Sequence, residues 1–278
     1  MAHPQIAAFA RMATENSKPT RQLAGQATKL SRTMHDIRYD SLHDEIVVTN
    51  PFARAILAFR GGATGEEAPI RIIQGPKTQL RNPGRVDVDP EHNEIFIPNG
   101  SSILAFSRQA KGDVAPLRII RGPDTMLRNA GAIAVDPVRN LVVAMTGARG
   151  EAGGDPGGAL VIFNRTDDGN VKPRAVIQGP KTGIVSTQQI TAYPPKGWIL
   201  VPTSGVETGS SVAEPPGIFV GIWSIHDNGD VPPRWKIAGP KSTLKRPRGI
   251  ALNPKHKEIM IVDMRANGVL TYYFPEIF

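Results

Sequence analysis

The chain has 278 residues, with 33 Lys and Arg against 25 Asp and Glu and a formal net charge of +8, which favours anionic partners. It has no Cys, so disulfides, thiolate catalysis and zinc–cysteine sites are excluded, while 28 Gly and 25 Pro suit short strands joined by defined turns. No apolar run approaches the ~18 residues of a membrane helix, and Met1–Thr20 lacks the apolar stretch of a secretory signal. A soluble, basic protein is expected, cytoplasmic or exported with its leader removed.

Read from the N-terminus, Ile6-Ala7-Ala8-Phe9 is a short apolar run, and 6–14 is the one stretch with any helical periodicity. Pro19-Thr20-Arg21-Gln22-Leu23-Ala24 follows as a strand opened by Pro. From Gly25 onward one pattern recurs. A Gly, usually in Gly-Pro, precedes an Asp, Asn or Tyr by fourteen or fifteen residues: Gly25 and Asp40, Gly75 and Asp89, Gly122 and Asp136, Gly179 and Tyr193, Gly239 and Asn253. Each of these glycines stands six residues after a Pro (Pro19, Pro69, Pro116, Pro173, Pro233). Spacings of 50, 47, 57 and 60 residues mark a repeat array.

The second repeat shows the unit most clearly. Arg85-Val86-Asp87-Val88-Asp89 alternates polar and apolar residues as a half-buried strand does. Asp89-Pro90-Glu91-His92-Asn93 carries the residues of a type I turn. Glu94-Ile95-Phe96-Ile97 and Ile103-Leu104-Ala105-Phe106 are the second and third strands, and Pro116-Leu117-Arg118-Ile119-Ile120 is the fourth. We label the four strands A to D. The other repeats align on this template, with strand A at Ile37-Arg38-Tyr39, Ile133-Ala134-Val135, Ile190-Thr191-Ala192 and Ile250-Ala251-Leu252.

Four-stranded units of about 40–50 residues predict a β-propeller, because each small sheet exposes two faces that its neighbours cover. The expectation is a single all-β propeller over 19–278, with 1–18 as an N-terminal extension. Five blades are predicted, with six as the alternative. The last repeat supplies strands A to C, ending in Gly268–Phe274, so the N-terminal strand Pro19–Ala24 is expected to add its strand D and close the ring. Ile6–Phe9 is then a surplus strand C.

These repeats resemble the NHL-repeat propeller family. The likeness rests on Pro247-Arg248-Gly249-Ile250-Ala251-Leu252-Asn253 with Glu258-Ile259-Met260-Ile261-Val262-Asp263, and on Asn82–Asp89 with Ile95-Phe96-Ile97-Pro98-Asn99. It spans about residues 19 to 274. The resemblance implies a protein- or RNA-binding module, or by analogy with similar rings a lyase or lactonase; fold alone does not choose.

Three features mark the face that the B–C and D–A connections would share. The B–C connection expands in repeat three to a Gly-rich stretch over 146–158 containing Arg149, and in repeat four to a Gly/Ser-rich stretch over 203–216 containing Glu207. Strand B ends in Asn50, Asn99, Thr146, Thr203 and Asp263, one oxygen-bearing side chain per repeat. Asn50, Asn99 and Asp263 are the ligands a hard cation such as Ca²⁺ would use; with a single carboxylate in the set, no cofactor is expected. Strand A begins with residues that differ between repeats, including His35, Asp36, Arg85, Gln189 and Arg248.

The principal reading is a monomeric recognition scaffold that binds a protein, a peptide or a small anionic ligand through Asp36, Arg85, Gln189, Arg248, Arg149 and Glu207. RNA is the less favoured partner, because aromatic residues for base stacking make up only 6% of the chain. No membrane partner is expected. The alternative is an enzyme at the same face, with His35 as acid or base and Arg85 and Arg248 orienting an anionic substrate.

Overall fold

The computed structural model describes residues 4–32, 34, 36–147, 157–185, 187–205 and 217–278. It divides into two compact units, 1–97 with 105–117 and 98–104 with 118–278.

In the first unit, β1 (Gln5–Ala8) and β2 (Arg21–Ala24) form a two-stranded antiparallel sheet, with Ile6 opposite Leu23. The weak helical periodicity over 6–14 does not produce a helix. Ile6 packs against an apolar cluster and β1 pairs along its length with β2, and these tertiary contacts outweigh the weak local periodicity. β3 (Ile37–Asp40), β4 (Glu45–Asn50), β5 (Ala55–Arg60) and β6 (Arg71–Gln74) form an antiparallel meander. β4 is buried along its whole length. Ile6 and Leu23 pack against one of its faces, in a cluster with Ile46, Val48, Leu57, Phe59 and Ala63.

β7 (Asp87–Asp89), β8 (Glu94–Pro98), β9 (Ser102–Ser107) and β10 (Arg118–Arg121) make the second four-stranded sheet. In the second unit, β11 (Ala132–Asp136), β12 (Leu141–Thr146), β13 (Ala159–Asn164) and β14 (Ala175–Ile177) form the third. β15 (Thr191–Tyr193), β16 (Trp198–Ser204), β17 (Ile218–Ser224) and β18 (Trp235–Ala238) form the fourth. Val143, Leu160, Ile162, Ile199, Val201 and Trp223 share one buried cluster, so the third and fourth sheets cover each other.

The fifth sheet has β19 (Pro247–Asn253), β20 (Glu258–Asp263) and β21 (Gly268–Tyr273). Ile250, Ile259 and Ile261 pack against Leu200, Val220 and Ile222, and the C-terminal Ile277 joins them. The opposite face exposes Val262, Val269 and Tyr273. This sheet was expected to gain Pro19–Ala24 as its strand D, but Arg21–Ala24 pairs with β1 instead. The run Ile6–Phe9, read as surplus, is therefore a paired strand. Its apolar residues give β2 a partner and bury Leu23 to 2% exposure.

The turns follow from side chains that the repeats share. Asp40 Oδ1 accepts the N–H of His43 and Asp89 Oδ1 that of His92, while each Oδ2 lies 2.8 Å from the histidine Nδ1. In the third repeat Arg139 takes the histidine's place, donating to Asp136 Oδ2 at 2.9 Å. These histidines are turn residues, as their position in the A–B hairpins implies.

Candidate functional site

The D–A loops open with Gly and close on a hydroxyl. Thr28, Thr78, Thr125, Thr182 and Ser242 each donate to the carbonyl of the loop glycine at 2.6–2.7 Å. Each hydroxyl also accepts the N–H two residues further on, at Leu30, Leu80, Leu127, Ile184 and Leu244. One Thr or Ser thus ties a single tight turn from both ends, and in four of the five Pro in the first position presets its φ, Gln26 standing there in the first.

Four of these loops are also locked by the following repeat. Glu66 accepts the N–H of Ala27 at 3.2 Å, Asp113 that of Lys77 at 2.7 Å, Asn170 that of Asp124 at 2.9 Å and Asp230 that of Lys181 at 2.8 Å. Each locking residue follows a glycine in a C–D hairpin (Gly65, Gly112, Gly169, Gly229). That glycine exchanges two backbone hydrogen bonds with the neighbouring strand D, as Gly169 does with Ile119 and Arg121 at 2.8 and 2.9 Å. The loop glycine must be Gly: at Gly25, Gly75, Gly122 and Gly179 a methyl would overlap the locking side chain. Their φ values, from 114 to 147°, independently disfavour any other residue.

The strand B termini turn toward these same loops. Asn50 donates to Lys29 O at 3.1 Å and accepts from Ser31 Oγ at 2.8 Å. Thr146 Oγ1 accepts the Arg128 N–H at 2.6 Å, and Thr203 Oγ1 accepts that of Val185 at 3.4 Å. Asp263 is fully buried and accepts four backbone N–H groups, from Lys245, Arg246, Arg265 and Ala266, at 2.8–3.0 Å. Burial opposes its ionisation, but the four donors outweigh burial and hold its carboxyl below the ordinary value. Asn99 is buried, with its N–H on Ser102 O at 2.8 Å. Asn50 and Asp263, two of the three residues put forward as cation ligands, thus spend their oxygens on loop capping. Among the described residues no group of three or more His, Asp or Glu converges as a metal-ligand set.

The residues opening strand A bind the next repeat. Asp36 Oδ2 accepts the N–H of Val86 at 3.0 Å, and Gln189 Oε1 accepts that of Ile250 at 2.7 Å. Val86 and Ile250 occupy equivalent positions, so Asp36 and Gln189 do the same work in their own units. Asp36 Oδ1 also takes Arg38 Nη1 at 3.2 Å, while Arg38 Nε donates to Asp87 at 2.9 Å. Burial works against the Arg38 charge, and Asp36 and Asp87 outweigh it, raising the guanidinium pKa. Arg85 Nη1 donates to Gly84 O at 2.6 Å beside this network. Gln189 meets the segment that carries Arg248, so these two come together, as Asp36 and the Arg85–Val86 segment do. His35, Arg149 and Glu207 lie outside the described residues.

Two further features were not anticipated. Glu45 Oε2 accepts from Arg71 Nη2 and from Arg108 Nη1, the latter at 2.7 Å. Burial raises the Glu45 pKa, but the two arginines outweigh it and leave the carboxyl below its ordinary value. Arg71, on the outer strand β6, is thus tied to a carboxylate of β4. The second is the repeat-five D–A loop, where Lys241, Lys245, Arg246 and Arg248 fall within eight residues, with Lys241 and Lys245 exposed.

No protein-family profile matches the chain, and no curated protein matches it in sequence. Among solved structures it is similar to Kuenenia stuttgartiensis hydrazine synthase, at 10% identity and a TM-score of 0.57 over 82% of this chain. The chain corresponds to 55% of that chain, about half its length. At this identity the likeness speaks for fold alone. Together with the five repeated antiparallel sheets, it gives an all-β, five-bladed propeller.

Proposed function

We propose that the protein is an NHL-like recognition scaffold whose B–C and D–A loops take an anionic partner, an acidic peptide segment of another protein. The observation that supports this most strongly is the D–A loop of repeat five. It gathers four cationic side chains over 241–248 on a backbone fixed by one buried carboxylate, Asp263. A loop held this way presents its charges at low entropic cost. The long B–C connections of repeats three and four and the overall charge of +8 agree with the reading.

The test is fluorescence anisotropy with a fluorescein-labelled Asp/Glu-rich peptide. Removing Lys245 and Arg248 together (K245A/R248A) should weaken binding at least about tenfold, some 1.4 kcal/mol, with melting unchanged. Wild-type binding should also weaken steeply with salt. Equal affinity in the variant, or equal binding of a neutral peptide, would overturn the proposal.

A further inference from the structure

Phe52 is 79% exposed, more than any other large apolar side chain among the described residues. A lone exposed apolar residue is ordinary on a protein surface, but this one stands on a fixed frame. Asn50 Oδ1 accepts the N–H of Ala53 at 3.2 Å and the hydroxyl of Ser31 at 2.8 Å, and its Nδ2 donates to Lys29 O. From β6, Gln74 Nε2 donates to Ala53 O at 2.8 Å. One amide therefore joins the B–C hairpin of repeat one, 51–54, to the D–A loop before it. These two segments bear exposed Lys29, Arg32 and Arg54, none of which forms an ion pair among the described residues. Glu66, which reaches the same loop, is spent on the Ala27 N–H.

The same design recurs in repeat five, within the second unit. Its B–C hairpin, 264–267, matches 51–54 in length, and Arg54 and Asn267 both stand at φ 51°. Asp263 takes the part of Asn50, accepting the N–H groups of Arg265 and Ala266 on the hairpin and of Lys245 and Arg246 on the loop. Met264 is 49% exposed there and donates its N–H to Arg246 O at 3.0 Å. Each frame offers one apolar side chain among cations, at low entropic cost because the backbone is already held. Binding interfaces concentrate their energy in apolar anchors that become buried inside a polar rim.

We propose that Phe52 is an apolar anchor of the recognition surface, and that the acidic peptide it binds carries aliphatic side chains among its carboxylates. Resting on the recognition function proposed above, this names the partner's second requirement. The carboxylates face Lys29, Arg32 and Arg54, and an aliphatic side chain covers the Phe52 ring. An exposed ring beside cations also suits base stacking on a single-stranded nucleic acid. Met264 has no ring to stack on, so the feature the two hairpins share is an apolar side chain rather than an aromatic plane, and that favours the peptide.

Fluorescence anisotropy with two fluorescein-labelled Asp/Glu-rich peptides tests this, one interrupted by Leu residues and one with Ser in their place. The protein should bind the Leu peptide about tenfold tighter. Phe52→Ala should remove most of that preference with melting unchanged, since the side chain faces solvent, and Phe52→Leu should keep most of it. Equal binding of the two peptides by wild type, or a preference that Phe52→Ala leaves intact, overturns the anchor and leaves acidic-peptide binding standing. Failure of both peptides to bind overturns the two together. Oligo(dT) that binds wild type and is lost in both Phe52→Ala and Phe52→Leu, with no preference between the peptides, makes the surface a nucleic-acid platform and overturns the peptide anchor.

Discussion

Gly75→Ala tests the locking geometry against its own internal control, Gly239→Ala. Gly75 has φ 135° and ψ 172°, a region essentially reserved for glycine, where another residue costs about 1–3 kcal/mol. An added methyl must also drive Asp113 away from the Lys77 N–H. A hydrogen bond to a charged group contributes about 1.5–3 kcal/mol, toward the low end at this exposed position. Gly75→Ala should therefore cost about 3–4 kcal/mol in all, the backbone and lock losses combined. Gly239 has φ 83° and, among the described residues, no atom within 4 Å of an added methyl, so only the backbone cost of about 1–3 kcal/mol applies to Gly239→Ala. Asp113→Ala should cost about 1.5 kcal/mol alone and almost nothing further on top of Gly75→Ala, since the lock is already broken. Urea unfolding followed by tryptophan fluorescence measures all four variants. Equal costs for the two glycines, or full additivity of G75A with D113A, would refute the lock.

Glu45→Ala leaves buried Arg108 with only the more distant Asp40 carboxylate, at 3.8 Å, and should cost about 3 kcal/mol in chemical denaturation, while Glu45→Gln costs less. The Glu45 pKa is lowered on folding, so its stabilisation is present above about pH 4.5 and is lost as pH falls through the folded value. A pH series of urea midpoints should show a shallower acid limb in Glu45→Gln. Asp263 follows the same sign, and Asp263→Asn turns an amide NH₂ toward two backbone donors; a loss of about 2–4 kcal/mol is expected by thermal melting. Leu23→Ala removes the main anchor of β2 in its cluster and should cost about 2–5 kcal/mol; a change under 1 kcal/mol would show that β2 does not hold the first sheet.

The repeat was legible because hydrophobic alternation and Gly/Pro punctuation are local, so strands A to C of every sheet follow from neighbouring residues. The partner of β2 was not. Arg21-Gln22-Leu23-Ala24 suits either β1 or β21 by composition, and the choice depends on contacts distant in sequence. The structural contacts of two candidate site residues were hidden for a related reason. Asp36 and Gln189 differ between repeats and so look customised for a ligand, yet each accepts a backbone N–H 50 or 61 residues away. The locks were within reach. The Gly-acid pairs recur at a fixed distance before Pro, although their targets lie 36 to 49 residues off. The clamp of Asp263 on 245–246 could not be read from composition, which showed only an oxygen at the end of strand B.

Hydrogen exchange with and without a saturating Asp/Glu-rich peptide tests the recognition surface most directly. The account predicts slowed exchange over the B–C connections 147–158 and 204–217 and the D–A segments 180–189 and 240–248. The A–B hairpins 136–140 and 193–197 should exchange as before. Protection confined to those hairpins, or spread evenly over all five sheets, would contradict it.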